Sequence, residues 1–328
     1  MGLPFGDLEL RRRELLIAFL PLAAAFLSSV LVLRYGSPDP APLVASTGDA
    51  HLEAAGRLRM LATWYVLAML GTGCIVYFFV RLFSFRQDSF LWLLGAYAVL
   101  VSLGVGVVLF NNGQARAENG LGAQTICAAF GGPARESHVS ANDSRRAGKE
   151  IGAVPGEPDL TCPGNAKYAS MWELNGVQRY FILFVMPALA LSGISALASN
   201  GAPRQQAAHL RTCLYLSAAL LVCGLMFLSA LLRWPAAALR GEAAAAYLSH
   251  VDAYLLYWGA SYSVLIAAYY VPVAARLSAE IGAALAVAGR EAPDGSDARL
   301  LDAVDILKVA AAVFAPVITA LIGNVAAI

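Results

Sequence analysis

Thr212–Leu232 reads TCLYLSAALLVCGLMFLSALL, 21 residues without one Asp, Glu, Lys or Arg. At about 1.5 Å of rise per residue this stretch is about 30 Å long as a helix, the thickness of a bilayer's hydrocarbon core. Its apolar residues run all round the helix instead of along one stripe, as they do when lipid or other spans surround it. Hydrocarbon offers no partner to an unpaired backbone N–H or C=O, so the stretch must be helical. The alternating ten-residue segments of a membrane barrel are absent.

Six more stretches share this freedom from charge: Leu15–Leu33, Met60–Val80, Ser89–Ala115, Tyr180–Pro203, Ala253–Ala275 and Val309–Ile328. The expected architecture is all-α, a polytopic membrane helix bundle. Its spans fall at about 15–33, 60–80, 89–111, 180–200, 212–232, 253–275 and 309–328. The last is diluted by Ala and Gly and interrupted by Pro316 and Asn324, which also fits a segment lying at the interface or re-entering the bilayer. Arg11–Arg13 before an apolar run would suit a signal peptide, but the run continues to Leu33 and reads as an uncleaved anchor.

Of the whole chain, 59% is hydrophobic and 14% charged, against about a quarter charged in soluble domains. The 23 Lys and Arg and the 22 Asp and Glu all lie outside the seven stretches, where their density is that of an ordinary solvated surface. A net charge of +1 gives no electrostatic case for nucleic acid. The expected partners are the lipid bilayer and either further copies of the chain or other membrane subunits.

Orientation follows from basic residues near span ends. With the N-terminus cytoplasmic, the inner segments carry Arg11, Arg12, Arg13, Arg81, Arg86, Arg204, Arg211, Arg276, Arg290, Arg299 and Lys308. The short outer ones carry Arg34, Arg57, Arg59, Arg233 and Arg240. This bias places the protein in a bacterial-type plasma (inner) membrane with residues 112–177 outside. That segment has few large apolar residues, too few for a core of its own. It reads as a cap stapled by a Cys127–Cys162 disulfide, worth about 3–4 kcal/mol by chain entropy. On the inner side, residues 277–308 read as a helical hairpin turning at Pro293-Asp294-Gly295.

Chemistry is sparse. Tyr254, Trp258, Ser261, Tyr262, Leu265 and Tyr269 recur every three or four residues on one face of the sixth stretch. Ser261 and Tyr262 fall near mid-bilayer, where a hydroxyl needs a partner or water. Ser261, Tyr262 and Tyr269, with Thr319 and Asn324 of the last stretch, are therefore candidate pore-lining residues; interhelical packing is the plainer role for the same side chains. Ala188, Ser192 and Ala196, and likewise Ser102 and Gly106, have the spacing that lets helices approach closely. None of the four histidines falls within a charge-free stretch, which argues against haem held between helices. His51, Glu53, His250 and Asp252 gather at the outer face and are candidate metal ligands, although solvated rims commonly carry such residues. Walker loops, nucleophile elbows and HExxH motifs are absent, and no cofactor is indicated.

The charge-free interior argues against ion coupling, which usually needs an acidic or basic group within the bilayer. A homo-oligomeric channel or pore-forming effector lined by uncharged polar residues is the first expectation. A non-catalytic scaffold or anchor subunit of a larger complex is the second. An outward-facing enzyme using the His/Asp/Glu cluster is the third. The orientation has a direct test: after reduction, a membrane-impermeant maleimide added to intact cells labels Cys127 and Cys162. Labelling that needs lysis overturns it.

Overall fold

The structure, a computed structural model, describes residues 12–35, 50–85, 87–110, 166–197, 203–287 and 303–325. Within them the chain forms helices and turns with no strand. A 3-10 segment, Arg12–Ala18, leads into α1 (Phe19–Tyr35), followed by α2 (Ala50–Leu82) and α3 (Gln87–Phe110). Then come α4 (Ala166–Ile194), α5 (Pro203–Arg233), α6 (Gly241–Val287) and α7 (Ala303–Val325). Each charge-free stretch has its helix. Short 3-10 turns follow α4 at Ser195–Leu197 and α5 at Trp234–Ala238. Gly241, at φ +58°, supplies the left-handed residue that sends the chain back into α6.

Helices this long and apolar make the chain an integral membrane protein. Five contain stretches long and apolar enough to cross a bilayer: Ala54–Leu82, Asp88–Gly106, Val177–Leu197, Gln205–Ala237 and Gly241–Glu280. The first and last expected spans do not reach that length among the described residues. Leu16–Leu31 and Leu307–Ile322 are the apolar parts of those two helices.

Boundaries also move. Residues 166–177, expected in the outer cap, continue α4 as helix. α5 begins at Pro203, nine residues before the charge-free run, and so takes in Arg204, His209 and Arg211. α6 has 47 residues, about 70 Å, and continues as helix past Arg276 to Val287; the turn of the expected hairpin lies outside the described residues. Cys127 and Cys162 lie outside the described residues, and so does their pairing.

Burial separates centre from periphery. In an apolar 18-residue stretch within Val177–Leu197, 71% is buried, and in one within Gln205–Ala237, 61%, against 22% in one within Asp88–Gly106. α4 and α5 are thus the core pair, and α3 an outer helix whose Leu91, Val99 and Leu103 face outward. The main cluster joins Phe78, Leu93, Leu189, Leu214, Ile266 and Val273. Lipid tails are as apolar as these side chains, so close packing and internal hydrogen bonds hold the bundle more than burial does. Ala188, Ser192 and Ala196 are all buried, which places the small-residue spacing of α4 inside the subunit.

α7 packs on α6 at a glycine. A Cβ on Gly259 would lie 2.9 Å from the Pro316 carbonyl oxygen and 3.2 Å from the Val317 Cα. Gly259→Leu therefore costs roughly 1–3 kcal/mol, read as a lower unfolding midpoint in detergent. Gly95→Leu, with nothing near its missing Cβ, shifts the midpoint by less than about 0.5 kcal/mol. Equal effects would contradict this account of the α6–α7 contact.

Candidate functional site

A cavity of about 200 Å³ opens between α1, α3, α4 and α6. A single water needs only about 10–15 Å³ of such space. α6 supplies Tyr254, Trp258, Tyr262 and Leu265 at intervals of three or four, with Ser261 beside Tyr262. α4 supplies two adjacent rows, Gln178, Ile182, Met186 and Ala190 beside Arg179, Leu183 and Pro187. α1 lines it with small residues, Pro21, Ala25, Ser28 and Ser29 among them, and Leu22. Gly104 of α3 faces it too.

The wall has order because its aromatic rings brace one another. The Trp258 ring packs against Tyr254, Tyr257 and Tyr262 with centroids 6.2, 5.9 and 5.7 Å apart. The Tyr257 hydroxyl donates to the Ser28 carbonyl of α1, tying two walls together. Pro187 lacks an N–H, so α4 carries an interrupted hydrogen-bond ladder here. Beside the break, Tyr97 of α3 donates to the Phe184 carbonyl at 3.2 Å.

Polar groups at the cavity are unevenly satisfied. Gln178 is 3% exposed. Its Nε2 donates to the Gly224 carbonyl of α5 at 3.2 Å, while its Oε1 is buried without a hydrogen-bond partner. The Trp258 Nε1–H is likewise buried and unpartnered. Such atoms usually cost about 1–3 kcal/mol each, and they are uncommon enough in native folds to need an explanation.

A second polar centre lies where α2, α4 and α5 meet. His209 Nε2 is 2.7 Å from the Ser192 carbonyl oxygen, which can only accept, so Nε2 carries the proton. In the neutral ring Nδ1 then accepts from the Tyr77 hydroxyl at 2.6 Å, and the two rings stack at 5.7 Å. The Ser195 hydroxyl donates to the same Ser192 carbonyl at 2.6 Å. Ser192 lies in the last turn of α4, whose carbonyls have no donor within the helix. His209 and Ser195 supply donors there. Cys213 Sγ is 3.8 Å from His209 Nε2, but a protonated Nε2 is no base toward it; the thiol donates to Ser192 Oγ at 3.5 Å. The cluster is a helix cap and contains no activated nucleophile.

The residues nominated from the sequence thus part company. Ser261 and Tyr262 share the cavity. Tyr269 does not: it is fully buried, 2.6 Å from Ser217 Oγ, and donates to the Cys213 carbonyl at 3.3 Å. Thr319 hydrogen-bonds to Ala315 of its own helix and lines a separate groove of about 580 Å³ between α2, α5 and α7. The side chains of Asn324 and Glu53 lie outside the description. His51 and His250 are exposed, and Asp252 pairs with Arg233 at 2.6 Å. Among the described residues no three His, Cys, Asp or Glu side chains gather as a metal site.

Sequence reading missed Gln178 and Arg179, assigned to the cap or its edge, and His209, assigned to a loop. A signal existed for the first pair. Gln178, Ile182, Met186 and Ala190 keep a spacing of four, which places Gln178 on the same helical face as span residues. No family model, curated protein or solved structure matches this chain.

Tyr77→Phe leaves His209 Nδ1 buried without its donor and costs about 1–3 kcal/mol, measured as a fall in the unfolding midpoint. Thr72→Val on the same helix, at an exposed hydroxyl bonded to Ala68, stays within about 0.5 kcal/mol. If the two variants unfold alike, the capping role is wrong.

Proposed function

We propose that this integral membrane protein works by holding an apolar small molecule, drawn from the bilayer, in the cavity between α1, α3, α4 and α6. The observation that carries the reading is the wall. Leu22, Leu183, Met186 and Leu265 line most of it with Pro21 and Ala25, while Gln178, Arg179, Ser28 and Ser29 are polar members of the same wall; apolar stretches of a cavity wall favour apolar guests. Sites between the helices of bundles are common places for such ligands. In this role Ser261 and Tyr262 are wall residues of a binding cavity.

A pore built from several copies is the second reading, and one observation favours it. Gly95, Ser102 and Gly106 are exposed on α3, and nothing lies near the missing Cβ of either glycine. A face of this kind allows close approach of another helix. Both readings keep the proposed orientation: inner membrane, N-terminus cytoplasmic, residues 112–177 external with a Cys127–Cys162 disulfide. The ion pair of Arg276 with Glu14, at 3.2 Å, supports the number of crossings alone, by bringing to one end of the bundle two segments separated by an even number of them.

The test is quenching by 1-bromodecane of the protein in lipid nanodiscs, with Trp258→Phe identifying the Trp258 share. Saturable quenching of Trp258 is expected, weakened about tenfold or more in Ala25→Trp, which fills the cavity. Absence of a saturable Trp258 component overturns the cavity reading. Ion conductance by a closed ring of copies, insensitive to Ala25→Trp, favours the pore instead.

A further inference from the structure

The groove between α2, α5 and α7 shares no lining residue with the cavity. α2 and α5 run antiparallel: Tyr77 meets His209 at one end, and at the other a Cβ on Gly56 would lie 2.9 Å from Trp234 Cδ1. Arg59 and Arg233 line the groove at that second end. Arg59 immediately precedes the charge-free run Met60–Val80, and Arg233 immediately follows Thr212–Leu232. Both therefore stand where hydrocarbon gives way to lipid headgroups. Below them Thr63, Leu225, Met226 and Thr319 continue the groove into the span. From Arg233 back to Leu225 the wall descends about 12 Å at about 1.5 Å per residue. Met226 and Ile322 of the lining are exposed, so the groove opens sideways toward lipid.

Charge at the mouth is one-sided. Among the described residues that line the groove there is no Asp or Glu. Arg233 pairs with Asp252 at 2.6 Å, which makes that couple neutral. Arg59 is exposed and has no acidic partner among the described residues. One uncompensated positive charge thus stands at headgroup depth above an apolar furrow.

We propose that this groove holds one anionic phospholipid, its phosphate paired with Arg59 and an acyl chain lying along Thr63, Met226 and Thr319. Guanidinium and phosphate form charge-assisted hydrogen bonds, and basic pockets between membrane helices favour anionic headgroups. A free phosphate has no use for the apolar furrow, and a plain hydrocarbon leaves Arg59 without a counter-ion. A lipid of net negative charge answers both. The site stands apart from the cavity between α1, α3, α4 and α6, and either can be lost without the other.

Native mass spectrometry of the full chain, released from micelles with equimolar dioleoylphosphatidylglycerol and dioleoylphosphatidylcholine, counts the lipid retained. The acyl chains are the same, so the ratio of the two lipids reads the head alone. Phosphatidylglycerol is expected to be favoured about fivefold, the factor that one arginine near a headgroup provides. Arg59→Gln brings the ratio to about twofold or less. Arg240→Gln, at an exposed arginine beyond the end of α5 and outside the groove, leaves it unchanged. Ala55→Trp, at an exposed lining position, narrows the groove and lowers retention of both lipids. Glycerol 3-phosphate, which has the phosphate and no chain, displaces neither. A wild-type ratio near one overturns the proposal, and that arm needs no variant to fold. So does a ratio that Arg59→Gln leaves intact or Arg240→Gln lowers equally, since general attraction to positive charge then explains it. Retention untouched by Ala55→Trp, or displacement by glycerol 3-phosphate, overturns the lipid in the groove.

Discussion

Hydrocarbon cannot hydrogen-bond, and nearly every polar contact in this bundle is a response to that. The threonines return their hydroxyls to their own helices, Thr63 to Met60, Thr72 to Ala68 and Thr319 to Ala315. The tyrosines cross between helices: Tyr257 to Ser28, Tyr97 to Phe184 and Tyr269 to Cys213. Without such partners each buried hydroxyl would cost several kcal/mol in hydrocarbon. These bonds also fix which helices adjoin, since a tyrosine hydroxyl reaches one neighbour and not another.

Two places show opposite outcomes of the same constraint. At the end of α4, carbonyls left over by the helix meet His209 and Ser195, and the polar inventory closes within the protein. In the cavity it does not close. Gln178 and Trp258 keep one orphan atom each, beside small residues of α1 that leave room. The buried Tyr247 and Tyr269 hydroxyls, by contrast, reach the Leu232 and Cys213 carbonyls.

The spans were legible because absence of charge over about 20 residues is a property of composition, independent of what each helix touches. The ends were not. His209 and Gln178 are polar, so a reading by hydropathy stops short of them, yet the helices continue because the neighbours supply hydrogen bonds. Tyr269 and Tyr262 stand seven residues apart on one face and looked alike. Their surroundings separate them, since Ser217 and Gly193 receive Tyr269 whereas Tyr262 borders open space.

By itself the sequence determined a helical membrane protein, because an uncharged stretch of bilayer length has no other way to satisfy its backbone. It also determined that Tyr254, Trp258, Ser261, Tyr262 and Leu265 share a face, because the helical period is a local property. Only the tertiary structure decided that this face meets Gln178, Met186 and Leu22 across a void, and that α4 and α5 occupy the centre. Those facts depend on how side chains from distant segments fit together, and van der Waals contact falls away within an ångström or so of misfit, so no local pattern in the chain encodes them.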